Sequence, residues 1–167
     1  MLIARAARSG ETDVVLGLLN DAATWLAARG IDQWTPGQWR AERIAASIER
    51  GEVYLASSEG TVVATVAIEW RDELMWPGAS DEAGYVHRLA VATAAHGKGI
   101  GRDLLRWAEL RIGEAQRRFA RLDCACDNAA LRRYYEDADY GHRGDRRVRG
   151  RVGPEFCGSR YEKAIIR

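Results

Sequence analysis

Two short segments constrain the fold of this chain more than any other part. Tyr85-Val86-His87-Arg88-Leu89-Ala90-Val91 is a largely apolar run, and His96-Gly97-Lys98-Gly99-Ile100-Gly101-Arg102 follows it closely. A helical pattern then extends from Gly101 or Arg102 to about Arg117. Strand, glycine-rich loop and helix in that order place a row of free backbone N–H groups at a helix N-terminus. Such a row attracts a phosphate or pyrophosphate. Glycine lets the backbone approach the anion without a side chain in between. Lys98 and Arg102 add positive charge. The spacing here is G-x-G-x-G and falls past the middle of the chain. A dinucleotide-binding unit calls for G-x-G-x-x-G after a first strand, so that reading fits poorly.

The rest of the chain supplies strands and helices around this centre. Leu2 to Ala6 reads as a short strand. An amphipathic helix follows Ser9–Asp13 and runs to about Arg29, with Val14, Val15, Leu18, Leu19, Ala22, Trp25 and Leu26 on its apolar face. Thr35-Pro36-Gly37-Gln38 has the signature of a second helix start, with Thr35 as N-cap and Gln38 closing a capping box. That helix is expected to stop near Gly51. Two β-rich arms, Glu52–Ser57 and Thr61–Trp70, flank Ser58-Glu59-Gly60 as a hairpin. After a loop from Arg71 to Ala83 come the central strand and the glycine loop. Leu104, Leu105, Ala108, Leu110 and Ile112 are the apolar positions of the next helix. A strand at Arg118–Cys126, a short helix from Asn128 to about Asp137, and two final strands to near Ile166 complete the chain. The order β, α, α, β, β, β, α, β, α, β, β predicts an α/β fold with a sheet of about seven strands and helices on both faces. Without a linker, repeat or low-complexity tract, residues 1–167 are expected to form a single domain.

Composition narrows the function classes. The 167 residues carry 25 basic and 24 acidic side chains, a net charge of +1, which argues against nucleic acid as a main partner. No apolar run has the length of a membrane span, and the N-terminus has no signal-peptide pattern. A cytoplasmic protein is expected. Cys124, Cys126 and Cys157 make no C-x-x-C pair and are expected as buried free thiols, with no metal site. Five arginines between Arg143 and Arg151 read as a solvated hairpin, with a homodimer contact left open.

The loop, the order of elements and a downstream Asn128…Tyr135 pair together resemble the GNAT superfamily of acetyl-CoA-dependent N-acetyltransferases. The family's pyrophosphate loop Q/R-x-x-G-x-G/A corresponds to His96, Gly99 and Gly101. Asn128-x-x-Leu131-x-x-Tyr134-Tyr135 is similar to its N-x-x-A-x-x-[hydrophobic]-Y helix. His96 replaces Gln or Arg, Leu131 replaces Ala, and Asp139 stands where Gly is usual. The resemblance spans nearly the whole chain. It implies a GNAT fold with a splay between the fourth and fifth strands, and acetyl-CoA as co-substrate. It further implies that His96, Gly97, Lys98, Gly99, Ile100, Gly101 and Arg102 hold the pyrophosphate. Leu89, Ala90 and Val91 would meet the pantetheine arm, as would Asn128, which also suits an N-cap.

Acyl transfer to an amine needs a base for the amine, donors for the oxyanion and an acid for the thiolate. Tyr135 is the candidate acid, because a phenol pKa near 10 lies close to that of a thiol. His87 is the candidate base: its imidazole titrates near neutrality. By strict alternation it shares a strand face with Tyr85, Leu89 and Val91. Val86–Val91 also resembles the equivalent strand of arylalkylamine N-acetyltransferases, where a histidine serves a proton relay. Glu69, Asp72 and Glu82 compete as carboxylate bases. Trp34 and Trp39, with Glu69 and Tyr85, are the candidate lining of an acceptor pocket, whereas Trp25 and Trp107 are expected in the core. A small-molecule primary amine is the expected acceptor. Protein or peptide amines, and a non-catalytic acetyl-CoA sensor, are the alternatives.

Overall fold

The computed structural model describes residues 1–78, 81–149 and 155–165. In chain order the elements are β1 (Leu2–Ala6), α1 (Thr12–Ala27), α2 (Ala41–Glu49), β2 (Val53–Ser58), β3 (Thr61–Glu69) and β4 (Ala83–Val91). A 3-10 turn (Thr93–Ala95), α3 (Ile100–Glu114), β5 (Phe119–Ala125), α4 (Ala129–Glu136), β6 (Gly141–Arg149) and β7 (Glu155–Ala164) follow. The strands form one seven-stranded sheet in the order β1-β2-β3-β4-β5-β7-β6, with the helices flanking it. The sheet is mixed. β4 pairs parallel to β5 at Ala83↔Phe119, Gly84↔Ala120 and Tyr85↔Arg121, whereas β5–β7 and β6–β7 are antiparallel. The expected α/β architecture is therefore present. Arg151 and the strand end expected near Ile166 lie outside the described residues. No helix among those described is long and apolar enough to cross a membrane.

Two compact units divide the chain: Met1–Ile68 with Arg88–Ala108, and Glu69–His87 with Glu109–Arg167. In the first, Val15, Leu18 and Leu19 of α1 pack with Ile44 and Ile48 of α2 and with Val53 and Leu55 of β2. The β2–β3 turn places Glu59 and Gly60 at φ +52° and +80°, the paired left-handed geometry that matches strand twist. Val14, expected on the apolar face of α1, is 41% exposed, at the margin of the buried stripe that runs through Val15, Leu18, Leu19 and Ala22 as expected. The second helix also departs from expectation. Thr35 N–H does donate to Gln38 Oε1 (2.7 Å), so half of the capping box forms. Gly37, however, turns left-handed (φ +79°) and gives its N–H to Asn20 Oδ1 (2.8 Å). The turn ends there, and α2 begins only at Ala41.

The second unit centres on Met75, Trp76, Ala83, Tyr85 and Val148. Arg121 is buried beneath Trp76, with its Nε donating to Glu162 (2.7 Å) and its NH1 to the Tyr85 hydroxyl (3.1 Å). Leu110, read as apolar-face, is 68% exposed. β6 is an edge strand rich in arginine, a pattern that discourages pairing with another chain. Arg143 donates to Glu162 (3.1 Å) and Arg146 to the Leu74 carbonyl (2.9 Å). The cysteine expectation fails for two of three residues. Cys126, at the end of β5, is joined to Cys157 of β7 by a disulfide, and Cys126 N–H also donates to the Cys157 carbonyl. The 31-residue separation hides a pairing that only the antiparallel β5–β7 register brings about. Cys124 alone is a buried free thiol.

Gly84 permits the close approach of α3 to β4. A Cβ there would fall 2.5 Å from Ile112 Cγ1, and Ile112 is fully buried. Gly84→Ala is therefore expected to lower unfolding stability by about 1–3 kcal/mol, an overpacking cost measurable by urea denaturation.

Candidate active site

The glycine loop leads into α3 in the first unit. The 3-10 turn ends at Ala95, His96 is extended, and Gly97 and Gly99 adopt φ +77° and +76°. These left-handed positions fold the loop so that helix α3 starts at Ile100, one residue earlier than expected. The Arg102 and Asp103 N–H groups already bond to the Gly99 carbonyl (3.0 and 3.1 Å). The amides of residues 97–101 lie ahead of these bonds, at the positive end of the helix dipole. A Cβ added to Gly97 or Gly99 would meet nothing within 4 Å, so the space in front of the loop is open. His96 works as a strap: its Nε2–H donates to the Val91 carbonyl (3.0 Å), and its ring stands edge-on to Trp25 at 5.0 Å. That contact ties the end of β4 to the loop.

β4 is not a regular strand. Arg88 takes φ +51°, a left-handed conformation that a non-glycine residue seldom adopts. The strict alternation that grouped His87 with Leu89 and Val91 does not carry through this kink. No sequence signal at an arginine marks it. Near the first two helices, Ala27, Gly30, Ile31, Asp32, Trp34, Thr35 and Pro36 line an open cleft of about 290 Å³. Trp34 and Trp39 pack edge to face at 5.2 Å, both half-buried.

In the second unit, Asn128 caps α4 by accepting the Leu131 N–H at Oδ1 (3.1 Å), as its position predicts. Tyr135 is 8% exposed among Tyr134, Tyr140 and Tyr161. Burial, aided by Cys124, Tyr134 and Asp123, pushes its phenol well above the ordinary tyrosine value, so the ring keeps its proton and the pKa match to a thiol expected from the sequence does not hold in this environment. The Asp139 substitution is accommodated: Asp139 takes φ +67°, and Tyr140 N–H closes the helix onto the Tyr135 carbonyl (3.1 Å). Tyr85 is 2% exposed, with its hydroxyl on Arg121. Glu69 ends β3, half-buried.

His87 stands between carboxylates. Its Nε2 is 3.4 Å from Asp72 Oδ2, and Asp72, His87 and Asp123 each bring a ligand-type atom within 4.8 Å of the others. Of the competing carboxylates, Asp72 is the one beside His87. Glu82 faces Arg118 (3.6 Å) and Arg121 (3.8 Å). Asp123 was not legible as a site residue, because one acid in an apolar strand reads as a solvent-facing position. Burial pushes its carboxyl up to about 6; the neighbouring His87 opposes the rise and Asp72 adds to it. An acid raised in the fold stabilises fully below its unfolded value of about 3.9, and that stability is lost as pH rises through about 6. Asp123→Asn is accordingly expected to melt higher than the parent at pH 8 but not at pH 4, by differential scanning calorimetry.

Residues 19–140 match the Acetyltransferase (GNAT) family. The chain belongs to this family. It is an acyltransferase, and the N-acetyltransferase YesJ of Bacillus subtilis (strain 168), itself uncharacterized, is 34% identical to it over 142 residues, or 80% of this chain and 78% of that one. A solved GNAT-family acetyltransferase of Listeria monocytogenes shares 25% identity, with a TM-score of 0.77 over 98% of this chain and 94% of the other. The structure of yncA from Salmonella typhimurium, which contains its cofactor acetyl-CoA, matches in fold at 15% identity and a TM-score of 0.72, covering 100% and 95%. The glycine loop and α4 of this GNAT acetyltransferase both fall inside the matched span, as do His87 and Asp123.

Proposed function

We propose that this acetyltransferase moves the acetyl group of acetyl-CoA to a primary amine of a small molecule by direct attack in a ternary complex. The loop from His96 to Arg102 suits the pyrophosphate: its amides precede α3, Lys98 is exposed beside them, and the space in front of Gly97 and Gly99 is open. Leu89, Ala90, Val91 and Asn128 are assigned to the pantetheine arm. His87, directly or through water, takes the amine proton as the new C–N bond forms. Backbone N–H groups near Leu89 and Val91 hold the oxyanion. Tyr135 gives its proton to the sulfur as the C–S bond breaks.

Direct attack is supported by the state of the cysteines. Cys126 and Cys157 are bonded to each other, and burial pushes Cys124 up to about 12, where almost no thiolate forms near neutrality. None of the three is suited to carry an acetyl group in a covalent intermediate.

The observation that carries the small-molecule reading is the cleft lined by Trp34, Thr35 and Pro36. It supplies an apolar wall and, at Asp32, a carboxylate for an ammonium group. Trp39 supports Trp34, and Glu69 and Tyr85 remain candidates for acceptor contact. The test is a mass-spectrometric survey of products from arylalkylamines, polyamines, aminoglycosides, amino acids and short peptides. An acetylated small amine is expected, with a raised KM in Trp34→Ala. Acetylation of peptides alone would overturn the small-molecule reading.

A further inference from the structure

We infer that Asp72 and Asp123 are positioning residues for His87, a carboxylate pair that fixes the imidazole's tautomer and holds the proton it takes from the acceptor amine. This rests on the reading of His87 as the base. Asp72 is itself well fixed. Its Oδ1 accepts the Met75 N–H (3.0 Å), and its carbonyl accepts the Trp76 N–H (2.8 Å). Oδ2 is thereby left facing His87 Nε2 at 3.4 Å, out of contact with water. A carboxylate on one ring nitrogen stabilises the tautomer with its proton there. Nε2–H then points at Asp72, and Nδ1 carries the lone pair for the amine proton.

Asp123 completes the arrangement from β5. A Cβ at Gly158 of β7 would lie 3.3 Å from Asp123 Oδ2 and 3.0 Å from Phe156 Cε1, so the carboxylate lies close against the β7 backbone. The groups whose charge Asp123 feels are His87 and Asp72, and its own charge acts on Cys124 of the same strand and on Tyr135 of α4.

Two half-buried carboxylates beside a neutral ring leave two negative charges uncompensated. One proton on Asp123 lowers this to a single negative charge beside the neutral imidazole, whose Nδ1 stays free to take the amine proton. Every proton is accounted for in transfer: one leaves the amine nitrogen for His87 Nδ1, and the His87–Asp72–Asp123 group releases one to solvent after product departs. The sulfur receives its proton from Tyr135, which regains one from solvent before the next turnover.

The test reads His87 directly. The chain has three histidines, so the ring signal of His87 can be assigned by its loss in His87→Gln and followed by pH titration in isotope-labelled protein. In the wild type, two interacting sites should give His87 a biphasic curve. Asp123→Asn should make it single-phased, and Asp72→Asn should move its midpoint down by about one pH unit, since removal of a negative charge disfavours imidazolium. The acid limb of kcat/KM should move down with it, and Asp72→Glu should restore part of the shift. A single-phased wild-type curve that overlays both variants would overturn the inference, even if His87→Ala still abolished the limb. Shifted titrations with an unmoved kcat/KM limb would show that His87 is not the base, and the positioning role would fall with that reading. Copurification of a stoichiometric divalent cation that broadens or shifts the His87 signal would also overturn it, making the cluster a metal site.

Discussion

Tyr135→Phe is expected to lower kcat by about 10²–10³-fold, the usual scale for loss of a positioned general acid. The dissociation constant for acetyl-CoA should stay within about threefold, because the residues assigned to the pyrophosphate are in the glycine loop and not in α4. Phenylalanine keeps the ring that packs against Tyr134, Tyr140 and Tyr161, so folding should be little affected. The split between turnover and binding is the informative part. A purely structural Tyr135 would leave kcat near the parental value. A sensor protein would have no turnover to lose. Calorimetric titration of acetyl-CoA beside steady-state kinetics reads both quantities. Since burial keeps the Tyr135 phenol protonated well past neutrality, the basic limb of the parental profile should not contain a tyrosine ionisation below about pH 10.

The second large effect is expected at Gly99. Alanine there must either hold φ near +76° or shift the loop, and its methyl group would enter the open space in front of the amides. Left-handed backbone costs an L-residue about 1–2 kcal/mol, and loss of amide contacts to an anion adds to it. Acetyl-CoA binding should weaken by about 10–100-fold, with kcat at saturation much less changed. Lys98→Ala is the useful comparison. Its exposed ammonium contributes through charge alone, so its effect should be a fewfold and should vanish in high salt. Equal binding by Gly99→Ala and the parent would move the anion site away from this loop.

Where local patterns and tertiary packing agreed, the fold was legible in the sequence. The Glu59-Gly60 turn, the Asn128 cap and the strand–loop–helix at the centre each follow from residues within a few positions of one another. Discrepancies arose where a distant partner decided the outcome. Asn20 captures the Gly37 amide and delays α2 to Ala41. The β5–β7 register brings Cys157 to Cys126. Val14 and Leu110 lie beside the buried stripes of their helices and stand in solvent. The candidate site shows the same division. His87, Tyr135 and the loop became candidates through the resemblance of their motifs to the GNAT family. Asp123 did not, because its significance comes from the loop at Asp72 and from β4, which lie far away in sequence. The left-handed backbone at Arg88 has no compositional cue at all.

The most direct test of the central claim is release of coenzyme A thiol from acetyl-CoA with and without a small primary amine. Direct attack in a ternary complex predicts release only when the amine is present, at a rate that depends on both substrates. A burst of thiol without amine, matched by an acetylated protein, would contradict direct transfer. Tight binding of acetyl-CoA with no release for any small amine would contradict the assigned acceptor class.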